Sequence, residues 1–256
     1  MHPILIQIGP FAIRYYGLMY VIGTLVGIYL LRRECRRLNL PLSEDSQVNL
    51  VLLLVFLGIL GGRIYYVIFN WDYYSRNPLE IPAIWHGGLA IHGGLIAGVL
   101  AGLWFVRRHG LPFLKLADVF VPMIALAQAF GRFGNFMNGD AHGVPTDLPW
   151  GIVFPPDSIA GRQFGSVPLH PTMLYELVWD LANFWVLWRL RRTPRKRGFQ
   201  VNLYLIFYSV GRGVIESFRA DSLMLGSWRV AQLVSAFVVL ASTAWLFGAR
   251  LWKPAP

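Results

Sequence analysis

The chain has 256 residues, of which 55% are hydrophobic and only 14% are charged, and its mean hydropathy is +0.49. Soluble domains carry about 25% charged residues, so this composition excludes a large water-soluble domain and indicates a membrane protein. The net charge of +10 is compatible with binding to nucleic acid, with an anionic lipid surface or with orientation of membrane spans.

Seven apolar stretches are long enough to cross a bilayer, since one helical span needs about 20 residues. Lipid offers no hydrogen-bond partners to an exposed backbone, so α-helices are the expected form of these stretches. The sequence therefore predicts an all-α, polytopic membrane protein with a single integral membrane domain over residues 1–256. Its spans are expected near residues 15–31, 48–69, 89–106, 116–130, 172–188, 199–215 and 230–247.

The basic residues are divided unequally between the connections on the two sides of the membrane. The segments after the first, third, fifth and seventh spans hold 15 of the 23 lysine and arginine residues. Cytoplasmic connections are the ones enriched in basic residues, so the N-terminus is expected in the periplasm and the C-terminus in the cytoplasm. The net charge is then mostly explained by topology, and no nucleic-acid partner is expected.

Two aromatic or histidine positions lie where predicted spans begin. Tyr16 opens the first span and is placed to donate a hydrogen bond into an outer cavity, although tyrosines at membrane interfaces are commonly simple belt residues. His170 precedes the fifth span, followed by Tyr175 and Glu176 one turn later. Helix capping and interface packing are the favoured interpretations there, with substrate contact second.

A doubled His-Gly-Gly sequence at residues 86–94 begins the third predicted span. Its glycines permit close backbone approach, and His92 is expected about one helical turn inside the membrane. Histidine is the side chain whose proton moves near neutral pH, so His92 is a candidate base, with a packing histidine as the alternative. The six histidines include no His-x-x-x-His pair, and neither a metal nor a cofactor is expected.

A glycine-rich polar segment at residues 131–140 follows the fourth predicted span and opens an outer loop over residues 131–171. Arg132, Asn135 and Asn138 supply donors suited to phosphate or carboxylate. An arginine that merely reaches the lipid headgroups is the alternative. No hydrophobic requirement explains so many polar residues and glycines together, so an anion-binding function is favoured, in a small head region formed by the outer loops.

Three ionisable residues share one helix face at the outer end of the sixth predicted span. With 3.6 residues per turn, Glu216 falls between Arg212 and Arg219 and is expected to contact both. A structural ion-pair cluster is one explanation of this spacing. Two arginine groups facing one outer cavity favour the other explanation, which is a site for an anionic substrate.

Together these motifs closely resemble the prolipoprotein diacylglyceryl transferase family of bacterial inner membranes, and the resemblance covers essentially the whole chain. The Gly-Arg-Phe-Gly-Asn string is much more specific than a generic glycine-rich motif. The resemblance is carried by Tyr16-Gly17, His92-Gly93-Gly94, Gly131 to Gly139, His170-Pro171-Thr172 with Tyr175-Glu176, and Arg212 to Arg219.

The resemblance implies transfer of the sn-1,2-diacylglyceryl group of phosphatidylglycerol to the lipobox cysteine thiol of a prolipoprotein signal peptide. This reaction forms a thioether, releases glycerol phosphate and is the first step of bacterial lipoprotein maturation. The enzyme is then a multi-pass protein of the bacterial inner membrane, embedded in the lipid bilayer, with its active site facing the periplasm.

The resemblance also implies residue roles. Arg132 and Arg212 bind the donor phosphate and neutralise the charge that develops on it, Glu216 orients Arg212, and His92 is the candidate base. Substrate-binding residues are expected at Tyr16, Arg132, Asn135, Asn138, Asp140, Gly143, His170 and Arg219. One position departs from the pattern, because the family often carries glutamate where Asp140 stands, which shortens the reach by about 1.5 Å.

A transporter or channel for an anionic solute is the alternative from a different class, with the outer arginines as a selectivity site. Against this alternative, the ionisable residues of the predicted spans gather at one membrane face. The transferase interpretation is therefore the one that the sequence favours.

Overall fold

A computed structural model of the chain describes residue 1, residues 3–9 and residues 11–254. Its contacts divide the molecule into two compact units, described separately below. The first unit comprises Met1–Gly27 and Ala117–Pro256, and the second comprises Ile28–Leu116.

The second unit is built around two long helices, α2 (Glu44–Phe69) and α4 (Ile91–Arg108). The Ser43 side chain caps the start of α2 by accepting a hydrogen bond from the backbone N–H of Ser46 at 3.1 Å. The two helices cross where glycines face each other. A Cβ on Gly61 would lie 2.6 Å from the Gly93 carbonyl, and one on Gly93 would overlap the backbone of Gly61. Only glycine allows the helices to approach so closely.

The link between α2 and α4 is folded around one buried arginine, Arg63 of α2. It contains the short helix α3 (Trp71–Tyr74) and two 3-10 turns, Pro78–Glu80 and Ile84–His86. The Arg63 guanidinium donates hydrogen bonds to backbone carbonyls of the link, which belong to Glu80, Ile81, Ala83, Gly87 and Gly88. This single side chain therefore satisfies carbonyls that a loop would otherwise leave to water.

The first unit opens with an antiparallel ribbon of β1 (Ile4–Ile8) and β2 (Phe11–Arg14), followed by α1 (Tyr15–Arg37). The chain passes to the second unit within α1 and returns within α5 (Phe113–Asn138). The remaining elements are α6 (Ile159–Phe164), α7 (Thr172–Leu190), α8 (Phe199–Ile215), a 3-10 turn (Glu216–Phe218), β3 (Met224–Leu225), β4 (Trp228–Arg229) and α9 (Val230–Gly248).

The helices α5, α7 and α8 line the pocket described below. Helix α8 packs on both α7 and α9. Its N-terminus is capped from α5, because the Asp118 carboxylate accepts backbone hydrogen bonds from Gly198 at 2.6 Å and Val201 at 3.0 Å. A carboxylate at this position satisfies free N–H groups and complements the helix dipole.

The segment between α5 and α7 forms a small head, whose Phe154, Ala160 and Leu169 form an apolar cluster with Met173 of α7. Antiparallel bridges pair Leu169 with Pro145 and with Ile152. The outer head region expected from the sequence is thus an ordered structure with a core.

Helices occupy the positions of all seven predicted spans. Four of them are long and apolar enough to cross a membrane by length and composition, namely α1, α2, α5 and α9, and the described residues therefore fit a multi-pass membrane protein. The all-α prediction omits the two short ribbons, β1–β2 and β3–β4.

The structure also corrects the start of the predicted outer loop at residue 131. Helix α5 continues to Asn138, and the glycine with a left-handed backbone that ends it is Gly139, with φ of +68°. Gly134 lies inside this helix and does not break it. The absence of a side chain at Gly134 makes room for the Tyr16 ring. Arg132 consequently projects from a helix.

We expect Gly93→Ala to destabilise the protein by about 1–3 kcal/mol, the usual cost of overpacking, because the added methyl overlaps the backbone of Gly61. Thermal unfolding in detergent measures this effect. Gly98→Ala is the matched control on the same helix, since a Cβ there meets no atom within 4 Å. Equal melting temperatures for the two variants would contradict the close crossing.

Candidate functional site

One carboxylate, Glu176 of α7, joins three arginines that come from different parts of the chain. Its Oε2 lies 2.8 Å from Nε of Arg132 on α5. Its Oε1 lies 2.7 Å from Nη1 of Arg212 on α8 and 3.3 Å from Nη1 of Arg219, which follows the 3-10 turn. Glu176 therefore fixes the position of Arg132 relative to Arg212 and Arg219, which lie much further along the chain.

A second carboxylate, Glu216, reinforces two of these arginines. Its Oε2 lies 2.7 Å from Nη2 of Arg212 and 3.9 Å from Nε of Arg219. The expectation that Glu216 contacts both arginines is confirmed, although Arg219 lies beyond the end of α8. Arg219 also donates a bidentate pair of hydrogen bonds to Asp221, at 2.9 and 2.8 Å.

Exposure differs sharply within this arginine cluster, defined as Arg132, Arg212, Arg219, Glu176 and Glu216. Glu216 is 1% exposed, whereas Arg132 and Arg212 each keep 23% of the side chain exposed. Buried charges are tolerated only when they are paired, which accounts for the two carboxylates. The partly exposed guanidiniums are the ones available to a ligand.

The Arg219–Asp221 pair lies outside the helices, and each of the two groups shifts the pKa of the other. Burial raises the pKa of Asp221, but the hydrogen bond and charge of Arg219 outweigh burial and hold this pKa below its usual value. Burial lowers the pKa of Arg219, but the hydrogen bond to Asp221 and the charges of Glu176, Asp221 and Glu216 outweigh burial and raise this pKa above its usual value. Both groups therefore stay ionised at neutral pH, and the pair retains its attraction.

A pocket of about 210 Å³, including its part open to solvent, adjoins the cluster. Gly211 is one of its lining residues and has no room for a side chain, because any Cβ there would overlap the indole of Trp179. The Trp179 indole N–H donates to the Phe207 carbonyl at 2.8 Å. The pocket is lined by Arg132, Glu176, Trp179, Asp180, Tyr208, Gly211, Arg212 and Ile215.

Asp140 organises the end of the glycine-rich segment. Its Oδ1 accepts a hydrogen bond from the Asn135 side chain at 2.6 Å, and its Oδ2 accepts one from the Asn138 side chain at 2.7 Å. The two amides expected as phosphate donors are thus bonded to a carboxylate within the chain. The shorter Asp140 reaches both of them.

Gly143 and His170 lie against each other in the head. The backbone N–H of Gly143 donates to the His170 carbonyl at 2.8 Å, and a Cβ on Gly143 would lie 2.6 Å from the His170 Cβ. The Trp150 indole donates to the Tyr175 hydroxyl at 2.8 Å, and that hydroxyl lies 3.1 Å from Nδ1 of His170. An indole N–H only donates, so the Tyr175 hydroxyl accepts from Trp150.

The remaining predicted residues lie elsewhere. Tyr16 packs on Gly134, and its hydroxyl is 3.1 Å from that of Tyr20. His92 belongs to the second unit, where its ring centroid lies 5.8 Å from that of Tyr65. The arginine cluster is contained within the first unit and does not include His92.

Three site residues were missed by sequence reasoning. Glu176 was assigned mainly to capping, and Asp180 and Arg229 received no role. The sequence does contain a signal for Glu176 and Asp180, because they are two carboxylates one turn apart within an apolar span. Arg229 secures the loop that carries Arg219, because its Nη1 donates to the Arg219 carbonyl at 3.0 Å and to Ser222 Oγ at 2.7 Å.

Comparisons with known proteins agree on one family. The family model for prolipoprotein diacylglyceryl transferase matches residues 3–248. A phosphatidylglycerol–prolipoprotein diacylglyceryl transferase of Bacillus cereus strain ATCC 14579 is 46% identical over 247 residues, which covers 96% of this chain and 91% of the relative. A protein of the same name from Bacillus mycoides strain KBAB4 is 45% identical over 249 residues, covering 96% and 92%.

We expect Glu176→Gln to destabilise the protein by about 3–5 kcal/mol, the usual cost of removing one partner of a buried ion pair. The amide leaves three arginines facing a single remaining cluster carboxylate. Thermal unfolding in detergent again provides the readout. Glu44→Gln, which breaks only exposed pairs with Arg32 and Arg36, serves as the control and is expected to change nothing measurable. A Glu176→Gln melting curve that overlays the wild type would contradict the central position of Glu176.

Proposed function

The chain belongs to the prolipoprotein diacylglyceryl transferase family, and we propose that it transfers the sn-1,2-diacylglyceryl group of phosphatidylglycerol to the lipobox cysteine of prolipoproteins. The thiol sulfur becomes bonded to the glyceryl carbon in a thioether, and glycerol phosphate leaves. The observation that carries the proposal is the pocket flanked by two partly exposed arginines, Arg132 and Arg212, which are held by the same carboxylate.

The proposed setting is the bacterial inner membrane, with seven spans, one integral membrane domain and an active site facing the periplasm. The bias of lysine and arginine toward one set of connections supports this orientation. The other set of connections contains the head and, after α8, Glu216 and Arg219 of the arginine cluster. Phosphatidylglycerol within the membrane and an exported signal peptide would both reach such a site from its outer face.

The donor phosphate is assigned to the two exposed arginines. Arg132 engages Glu176 through Nε, and its two Nη groups have no hydrogen-bond acceptor among the described residues. A guanidinium with free donors matches a phosphate well. As the bond between carbon and phosphate oxygen breaks, negative charge grows on the phosphate, and preorganised cations at that position lower the barrier.

The acceptor thiol must lose its proton to become the attacking thiolate. His92 is the proposed base. The thiolate pair forms the new bond to the glyceryl carbon while the electrons of the old bond pass to the phosphate oxygen. Glu216 orients Arg212, consistent with their 2.7 Å ion pair.

The other family positions are proposed to contribute to substrate binding through the shape of the pocket and head. Asn135 and Asn138 are bonded to Asp140, which supports a role in holding the end of α5 beside Arg132. Further contributions are proposed for Tyr16, Gly143, His170 and Arg219.

A transporter or channel for anionic solutes is not proposed. The relatives carry the name of a transferase, and nothing in these comparisons supports transport. The arginines of the site are engaged by carboxylates at one end of the helices, as expected for an enzyme that works at one membrane face.

The central experiment incubates the purified protein with phosphatidylglycerol and a lipobox peptide and detects the thioether product by mass spectrometry. We expect Arg132→Ala to lower turnover by about 10²–10³-fold, the effect of removing one electrostatic stabiliser of a transition state. Arg162→Ala, which removes an exposed arginine of α6, should retain wild-type turnover. Absence of product from the wild type would exclude the transferase function, and unchanged turnover in Arg132→Ala would exclude the assigned phosphate site.

For the base, we expect His92→Gln to lower kcat by about 10²–10⁴-fold while the affinity for phosphatidylglycerol is preserved. The reason is that His92 is assigned to the thiol and not to the donor lipid. The measurement is kcat and KM for the lipid, with His86→Gln as the control histidine in the same unit. A rise in KM with unchanged kcat would reject His92 as the base.

A further inference from the structure

Asp180 is a buried carboxyl that faces the pocket without a partner. It lies on α7 one turn after Glu176, is 3% exposed and lines the pocket together with Arg132 and Arg212. Among the residues that the structure describes, no hydrogen bond or ion pair reaches its carboxyl oxygens. The other acidic groups at the site, Glu176 and Glu216, are both bound by arginines at 2.7 Å.

No ion pair is left for Asp180 among the three arginines of the cluster. Their ion pairs are made with Glu176, Glu216 and Asp221. An ionised Asp180 would place an unpaired negative charge in the lining of the pocket. That charge would repel a phosphodiester, which is itself an anion.

The groups facing Asp180 come from three helices. Arg132 faces it from α5, Glu176 from the preceding turn of α7, and Tyr204, Tyr208 and Arg212 from α8. The two arginines are already engaged by carboxylates, and Glu176 repels a second negative charge. A carboxyl that is buried without a hydrogen-bond donor or cation keeps its proton, because the charged form is costly there.

We propose that Asp180 is the general acid of the transfer reaction and donates its carboxyl proton to the departing phosphate oxygen. The inference rests on the proposed transferase function and adds a catalytic residue to it. As the thiolate sulfur bonds to the glyceryl carbon, the bond from that carbon to oxygen breaks. The electron pair of this bond stays on the phosphate oxygen, which takes the proton of Asp180.

The proton balance closes over one turnover. The thiol gives up one proton to the base, which releases it to water, and the Asp180 carboxylate takes up one proton from water that enters the emptied pocket. Glycerol phosphate leaves with one proton more than the phosphodiester carried. A neutral Asp180 therefore serves both stages, since it permits the anion to bind and then neutralises the charge that the broken bond creates.

The first test compares Asp180→Asn with the wild type in the phosphatidylglycerol and lipobox-peptide assay. We expect kcat to fall by about 10²–10⁴-fold, as for loss of a general acid, while KM for the lipid changes by less than about twofold. Asp180→Glu, which retains an acidic proton, should recover at least part of kcat. Asn183→Ala, one turn further along the same buried face of α7 and outside the pocket lining, is the matched control and should behave as the wild type.

The second test is the pH dependence of kcat for the wild type. A general acid gives a fall in kcat at high pH, and this fall should be absent from Asp180→Asn. Infrared difference spectra should also show a protonated carboxyl at neutral pH that Asp180→Asn lacks. These two readouts report a proton, which a purely structural role for Asp180 would not provide.

The outcomes separate the two proposals. Thioether formation by the wild type with undiminished kcat in Asp180→Asn would overturn the general-acid role alone. A wild-type kcat that does not fall at high pH would also overturn it, and this holds even if Asp180→Asn does not fold. No thioether from the wild type would instead overturn the transferase function on which the inference depends.

Discussion

The sharing of one buried carboxylate, Glu176, among three arginines is the interaction on which the rest of the site depends. Like-charged guanidiniums repel each other, and an apolar helical protein cannot hold them together without anions of its own. Glu176 supplies the bridge between α5 and α8, and Glu216 supplies a second one at the end of α8. The cluster is thereby assembled before any substrate binds, so the electrostatic field of the site is preorganised.

Packing around the cluster follows from that requirement. Gly211 admits the Trp179 indole, which lets α7 and α8 lie close enough for Glu176 to reach Arg212. Arg229 stabilises the loop after α8 by donating a hydrogen bond to the backbone carbonyl of Arg219, which belongs to this loop. Each of these contacts is local and structural. Together they position the partly exposed guanidiniums of Arg132 and Arg212 in the lining of the pocket.

Much of this arrangement was predictable from the sequence, and the failures have physical causes. The length of the apolar stretches places a helix at every expected span, and the spacing of Arg212 and Glu216 by four residues predicts their contact. Spacing within one helix says nothing about contacts between helices. The ion pairs of Glu176 with arginines on other helices were therefore not predicted. The continuation of α5 past residue 131 was missed because glycines usually end helices, whereas Gly134 is retained here to accommodate Tyr16.

Two polar side chains of the glycine-rich segment are less available to a ligand than the sequence suggests. Asn135 and Asn138 have the donors that a phosphate would need, but the structure commits those donors to Asp140. Donor chemistry alone therefore overestimates how many side chains remain free for a ligand. Arg132 differs from these amides, since only its Nε is engaged by Glu176.

Arg132 and Arg212 are together proposed to hold the phosphate of the donor lipid. An experimental structure of the protein with bound phosphatidylglycerol would show where the phosphate lies. We expect phosphate oxygens within hydrogen-bond distance, about 2.7–3.2 Å, of both guanidiniums, with the ion pairs to Glu176 intact. A phosphate bound away from both arginines, or one that displaces Glu176 from them, would contradict this proposal.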